Sequence, residues 1–124
     1  MQLKHIALVC SCEEKSDRFY SDLLGLQKVG SKTIPSTLAN QIFNIDTDLK
    51  IINYANDKIV FEVFIDNAKK AEKNKIEHIC LQVVNLGSFL ETCRSMEIEI
   101  IQVPKGDAFI TFIKDDDGNL FEIK

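Results

Sequence analysis

The chain holds only two histidines, and both stand at the same place in two copies of one pattern. The first copy is Leu3-Lys4-His5-Ile6-Ala7-Leu8-Val9-Cys10; the second is Ile76-Glu77-His78-Ile79-Cys80-Leu81-Gln82-Val83-Val84. Each reads as a β-strand, because β-branched and apolar residues dominate and neither Gly nor Pro interrupts. Side chains on a strand alternate between faces. In the second copy His78, Cys80, Gln82 and Val84 therefore share one face, and Ile79, Leu81 and Val83 share the other with Glu77. The apolar face suits a packed layer. A face carrying His, Cys and Gln suits a polar cavity, with Cys80 and Gln82 as candidates to line it.

The segments downstream of each histidine strand repeat as well. Ser11 and Glu14 have the spacing of a capping box, which predicts a helix running through Lys15 to Leu24. Phe19, Tyr20, Leu23 and Leu24 would form its apolar stripe, and Gly25 would stop it. Leu26–Ile34 reads as a strand ended by Pro35. The stretch from Ser36 to Phe43 reads as a short helix capped by Ser36, with an irregular strand as the other option. Leu49–Tyr54 and Lys58–Ile65 read as a hairpin around Ala55-Asn56-Asp57. Within its second strand Val60, Glu62 and Phe64 share a face, and a lone Glu there needs a reason.

A charged stretch, about 67–75, reads as a solvated linker. Beyond the second histidine strand, Asn85 caps a predicted helix from Leu86 to about Glu97, with Phe89, Leu90, Cys93 and Met96 as its stripe. Three strands come next: Ile98–Val103 ended by Pro104, Ala108–Ile113, and Asn119–Ile123 after the turn Asp115-Asp116-Asp117-Gly118. Each half thus reads strand, helix, then three strands. His5 overlays His78, Phe19 overlays Phe89, and Phe61-Glu62-Val63 overlays Phe121-Glu122-Ile123. The first half carries the extra loop residues.

Composition narrows the function classes. The 124 residues are 45% hydrophobic and 27% charged, with a net charge of −4. That is the make-up of one globular domain. No basic stripe favours nucleic acid as a partner, and no apolar run is long enough to span a bilayer. With the first strand beginning almost at Met1, the expectation is a cytoplasmic protein whose four cysteines are reduced. Cys10-Ser11-Cys12 lacks the two-residue spacing of a zinc or redox motif, so Cys12 and Cys93 read as structural or surface thiols. The Asp115–Asp117 run lacks the alternate spacing of a calcium loop and reads as a turn.

Taken together, these segments resemble the vicinal oxygen chelate superfamily, which includes glyoxalase I, methylmalonyl-CoA epimerase, type I extradiol dioxygenases and the bleomycin and fosfomycin resistance proteins. The resemblance is carried by Lys4-His5-Ile6-Ala7, by Phe19-Tyr20-Ser21-Asp22-Leu23-Leu24-Gly25-Leu26, and by Ile59-Val60-Phe61-Glu62-Val63-Phe64. Glu77-His78-Ile79-Cys80-Leu81 and Asp117-Gly118-Asn119-Leu120-Phe121-Glu122-Ile123 complete it. It implies an α+β fold over 1–124: two βαβββ modules, about 1–66 and 76–124, forming a curved mixed sheet around a central cavity.

The same resemblance implies one divalent metal ion held by His5, Glu62, His78 and Glu122. Two neutral imidazoles and two carboxylates offset a divalent charge, and mixed N/O ligation suits Ni, Zn, Co, Mn or Fe. The implied activity is that of a glyoxalase I-like lyase or isomerase, acting through an enediolate on a hemithioacetal or similar small substrate with vicinal oxygens. Its base would be Glu122 or Glu62, Glu122 being preferred. Epimerase-like, dioxygenase-like and non-catalytic drug-binding alternatives stay open. A homodimer is also implied, with the four ligands drawn either from one subunit or from two.

Overall fold

The computed structural model describes residues 1–72 and 74–124; Lys73, within the expected linker, lies outside them. The chain divides into two compact units, Met1–Lys69 and Lys70–Lys124. Each is α+β, and each carries a four-stranded mixed sheet.

The first unit runs β1 (Ile6–Cys10), α1 (Glu13–Ser16, continuing as a π-helix over Asp17–Leu23), β2 (Gln27–Ile34), α2 (Ser36–Phe43), β3 (Leu49–Ala55) and β4 (Val60–Ile65). Its strand order is β1-β4-β3-β2. The first strand lies parallel to the last, with Ala7 opposite Glu62, and the other pairings are antiparallel. A parallel pair cannot be joined by a tight turn, so the two helices and two strands between them are the crossover.

One face of this sheet packs on α1. Tyr20 is fully buried and stacks on Tyr54 with ring centroids 5.3 Å apart, while Phe61 lies 5.5 Å away at a tilt. Phe19, Ile52 and Val63 fill the space around them. Truncating such an aromatic to Ala costs about 3–5 kcal/mol.

Two helix signals act differently from expectation. The Ser11–Glu14 capping box does not form: Cys12 is the N-cap and no side chain caps it. Glu13 and Glu14 instead place negative charge in the first turn, where the helix dipole favours it. Gly25 does end the helix as expected, at φ +70°, a conformation that costs other residues about 1–2 kcal/mol. At α2 the helix reading holds, although the N-cap is Pro35 rather than Ser36. Asp48 accepts the Ser36 backbone N–H at 2.7 Å in place of a local cap.

The second unit runs β5 (His78–Leu81), α3 (Leu86–Ser95), β6 (Glu99–Lys105), β7 (Ala108–Lys114) and β8 (Leu120–Ile123). Its order, β5-β8-β7-β6, repeats the plan. Here β5 lies parallel to β8, with Cys80 opposite Glu122. Asn85 caps α3 as expected, its side-chain oxygen accepting the Ser88 N–H at 2.9 Å. Leu90, Cys93, Ile98, Ile113, Phe121 and Ile123 are buried.

Pro104 does not end β6. It stays in the strand opposite Phe109, because β6 is an edge and a proline is tolerated where its missing N–H faces outward. The turn at Asp115 is held by its own carboxylate, which accepts from the backbone N–H groups of Asp117 and Asn119 and from the Asn119 amide. Asp115 and Asp117 are both buried. No helix among the described residues is long and apolar enough to cross a membrane.

A charged cluster ties α1 to its sheet. Glu13 accepts from the ammonium groups of Lys28 and Lys50. Lys28 also donates to Asp17, and the Tyr54 hydroxyl donates to Asp17 at 2.7 Å. Hydrogen bonds from the two lysines hold the Glu13 carboxyl below its ordinary value. Burial and Asp17 push the Tyr54 hydroxyl up. A depressed carboxyl stabilises the fold above its unfolded pKa of about 4.3, and the contribution fades as pH falls through the folded value. Glu13→Gln should therefore lower stability at neutral pH by at most about 1 kcal/mol, since the pair is half exposed. That deficit should shrink below about pH 4 in melts followed by circular dichroism; a gap that stays constant with pH would contradict the assignment.

Candidate metal centre

The face of each sheet turned away from α1 or α3 carries the candidate ligands. In the first unit, Glu62 on β4 stands beside Ala7 on one side and Asn53 on the other. His5 lies just before β1 and places its Nε2 3.4 Å from Glu62 Oε2. In the second unit His78 opens β5, and its Nε2 lies 3.7 Å from Glu122 Oε2. The two units thus build one arrangement twice: an imidazole from the first strand meets a carboxylate from the last.

The sequence-predicted set is accordingly found as two pairs, His5 with Glu62 and His78 with Glu122. Among the described residues, no three His, Cys, Asp or Glu side chains form a group that could hold a metal ion. Each pair is half of the expected set. In both, the far oxygen of the carboxylate meets a lysine: Lys32 Nζ is 3.6 Å from Glu62 Oε1, and Lys124 Nζ is 3.3 Å from Glu122 Oε1.

The tautomer of His78 is set by its neighbour. Its Nδ1 lies 2.8 Å from the Ile76 carbonyl oxygen. A carbonyl only accepts, so Nδ1 carries the proton, and a neutral ring leaves its lone pair on Nε2, the nitrogen facing Glu122. Fixing a ring through the opposite N–H is how metal-ligating histidines are commonly oriented. Phe112, opposite Glu122 on β7, packs edge-on against the same ring at 5.1 Å.

Burial alone would raise the Glu122 carboxyl. Hydrogen bonds from Lys124 and Cys80, with the charge of Lys124, outweigh it and hold the group below its ordinary value. Partial desolvation and the Glu122 carboxylate together push the Cys80 thiol up, keeping it a thiol rather than a thiolate. Cys80 thus does share the site face and touches a candidate ligand. Gln82 lies beyond the end of β5. None of the four cysteines is in a disulfide, and Cys10 and Cys93 are buried.

Asn53 was not singled out by sequence reasoning. It is directly opposite Glu62, on the same face, and its buried Oδ1 finds no hydrogen-bond donor among the described residues. Buried polar atoms without partners are uncommon, and each calls for a reason. An acceptor beside a candidate metal ligand is suited to a donor that arrives with a bound molecule. A lone Asn in the apolar run Leu49-Lys50-Ile51-Ile52-Asn53-Tyr54 was the available signal.

The residues present fit a divalent ion in kind. Each pair supplies one imidazole and one carboxylate; in the second unit the tautomer of His78 is fixed for ligation, and in the first the orphaned Asn53 oxygen stands beside Glu62.

The family model described as Glyoxalase/Bleomycin resistance protein/Dioxygenase superfamily matches residues 2–123. The chain belongs to that superfamily. No curated protein sequence matches it. Among solved structures, a glyoxalase family protein from Enterococcus faecalis superposes with a TM-score of 0.75 at 18% identity, covering 98% of this chain and 95% of that one. The genomically encoded fosfomycin resistance protein FosX from Listeria monocytogenes gives 0.73 at 16%, covering 99% and 91%. FosX from Mesorhizobium loti gives 0.72 at 14%, covering 98% and 89%. At these identities the likeness is one of fold. A mutant of the Listeria protein has been solved with Mn(II) and 1S,2S-dihydroxypropylphosphonic acid.

If the Asn53 amide is kept for ligand binding, removing it should relieve a cost. Asn53→Leu should raise stability by about 1 kcal/mol, read as an upward shift of a few degrees in Tm. A lower Tm would instead mark Asn53 as a structural residue.

Proposed function

We propose that this protein is a divalent-metal-dependent lyase or isomerase of the glyoxalase I kind. Its substrate would be a small molecule presenting two adjacent oxygens, such as a hemithioacetal. The observation that carries the reading is the repeated pair: His5 Nε2 on Glu62 Oε2, and His78 Nε2 on Glu122 Oε2, at equivalent places in two βαβββ units.

His5, Glu62, His78 and Glu122 would hold the ion. When bound, a divalent ion supplies Lewis acidity to the substrate oxygens. The protein's own residues do the rest. Glu122 is the preferred base: it is ionised at neutral pH, and its carboxylate is steadied by Lys124 and Cys80. It would accept a proton from one substrate carbon and return it to the next. Glu62, in the same relation to His5 and Lys32, is the alternative base. Asn53 Oδ1 would accept a hydrogen bond from a substrate hydroxyl. Lys32 and Lys124 offset the carboxylate charge and favour oxygen-rich, anionic ligands.

Those lysines also favour a second reading. A ligand like that bound to the Listeria FosX mutant carries hydroxyls on adjacent carbons and a phosphonate. The two lysines suit such an anionic group, so a fosfomycin-resistance-type activity is the runner-up. A cytoplasmic homodimer completes the proposal, and four cysteines outside any disulfide are consistent with a reducing compartment.

The test is a calorimetric titration of chelator-stripped protein with Ni, Co, Zn and Mn. One ion per four-ligand set, lost in His78→Ala, is the expected result, with sedimentation reporting the assembly. With the preferred metal, Glu122→Gln should then cut hemithioacetal turnover about 10²- to 10⁴-fold while leaving the protein folded. Wild-type protein that binds none of the four metals would remove the enzyme reading and leave a non-catalytic binding protein.

A further inference from the structure

Where the second unit joins β6 to β7 by Gly106-Asp107, the first unit inserts the stretch 35–48 between β2 and β3, with α2 inside it. This insertion is the main departure from the repeat. Two of its apolar side chains, Phe43 and Ile45, stand over the candidate-ligand face of the sheet, where with Leu49 they wall a pocket of about 180 Å³. Ala7, Val9 and Phe64 form its floor.

The floor runs straight into the His5–Glu62 pair. Ala7 is the register partner of Glu62, and Val9 is the partner of Phe64. Phe64 lies two residues beyond Glu62 on the same face, about 7 Å along the strand. Phe43 packs edge-on against Phe64 at 5.5 Å yet remains 46% exposed, and Val9 is 36% exposed. Apolar side chains are therefore left open beside a polar centre. Asp66, at the rim, disfavours an anionic occupant at this end. A cavity of about 150 Å³ lined by apolar side chains accepts benzene, so the size suits a phenyl ring or a branched alkyl group.

We propose that this pocket is a specificity subsite: it takes a neutral, apolar substituent of the substrate whose adjacent oxygens meet the His5–Glu62 pair. The substrate class is then narrowed to aryl- or branched-alkyl-bearing compounds with vicinal oxygens. The inference rests on the metal-dependent reading above.

Two hydroxamates separate the alternatives, since each presents the same pair of adjacent oxygens and they differ only in the apolar group. Calorimetry on the metal-loaded protein should show benzohydroxamate binding about tenfold or more tightly than acetohydroxamate, the gain expected from burying a ring. Phe43→Asp, at a half-exposed helix end, should reduce that preference to about threefold or less, while metal and acetohydroxamate affinities stay at wild-type values. Equal affinities of the two hydroxamates for wild type would overturn the subsite, including the case in which another chain segment or a second copy fills it. A preference unchanged in Phe43→Asp would overturn the assignment to this pocket. Metal binding without affinity for either hydroxamate would overturn the chelation reading itself, and the subsite with it.

Discussion

Everything at the candidate site depends on the parallel pairing of the first and last strands of each unit. His5 and Glu62 are far apart in the chain, as are His78 and Glu122. The register of β1 on β4, and of β5 on β8, brings each pair within reach. A shift by one residue would turn the carboxylate to the helix-packed face. The buried aromatics that hold α1 on its sheet therefore also guard the site from behind, because Phe61 and Glu62 are neighbours with opposite duties. The same logic joins Phe121 to Glu122. Packing on one face fixes chemistry on the other.

Much of this was legible in the residues. The two histidine strands, Glu62 and Glu122, the Asn85 cap and the Gly25 stop all stem from local rules of periodicity and capping. The two histidine strands came out shorter than read: β1 covers Ile6–Cys10 and β5 only His78–Leu81, although exposure keeps alternating through Gln82 and Val84. What failed were signals that need tertiary context. The Ser11 capping box lost to a helix start one residue later, where Glu13 reaches Lys28 and Lys50 from two other strands. Pro104 looked like a strand end because its tolerance depends on β6 being an edge. That Asn53 lies opposite Glu62 depends on the β3–β4 register, which sequence leaves open.

The duplication is a duplication of frame rather than of surroundings. Opposite Glu62 stands an amide; opposite Glu122 stands Phe112. Beside Glu62 stands Ala7; beside Glu122 stands Cys80. One half offers a hydrogen-bonding partner and an apolar recess, while the other clamps its imidazole with an aromatic edge and a backbone carbonyl. Keeping the ligand pair while changing its neighbours lets one scaffold retain a charge pattern and alter what it admits. The packing of α1 and α3 places no demand on those neighbours, since they face away from these helices.

The proline retained in β6 bears on how the protein meets copies of itself. An exposed edge strand is an open row of donors and acceptors, ready to be extended by another chain. Here the row is interrupted by an imide, flanked by Lys105, and close to the exposed Val103 and Phe109. Those two side chains are sticky, but the backbone beside them cannot complete a ladder. This edge is thereby blunted against templated growth of the sheet, and any association through it has to use side-chain surfaces, where geometry can be limited to a closed assembly.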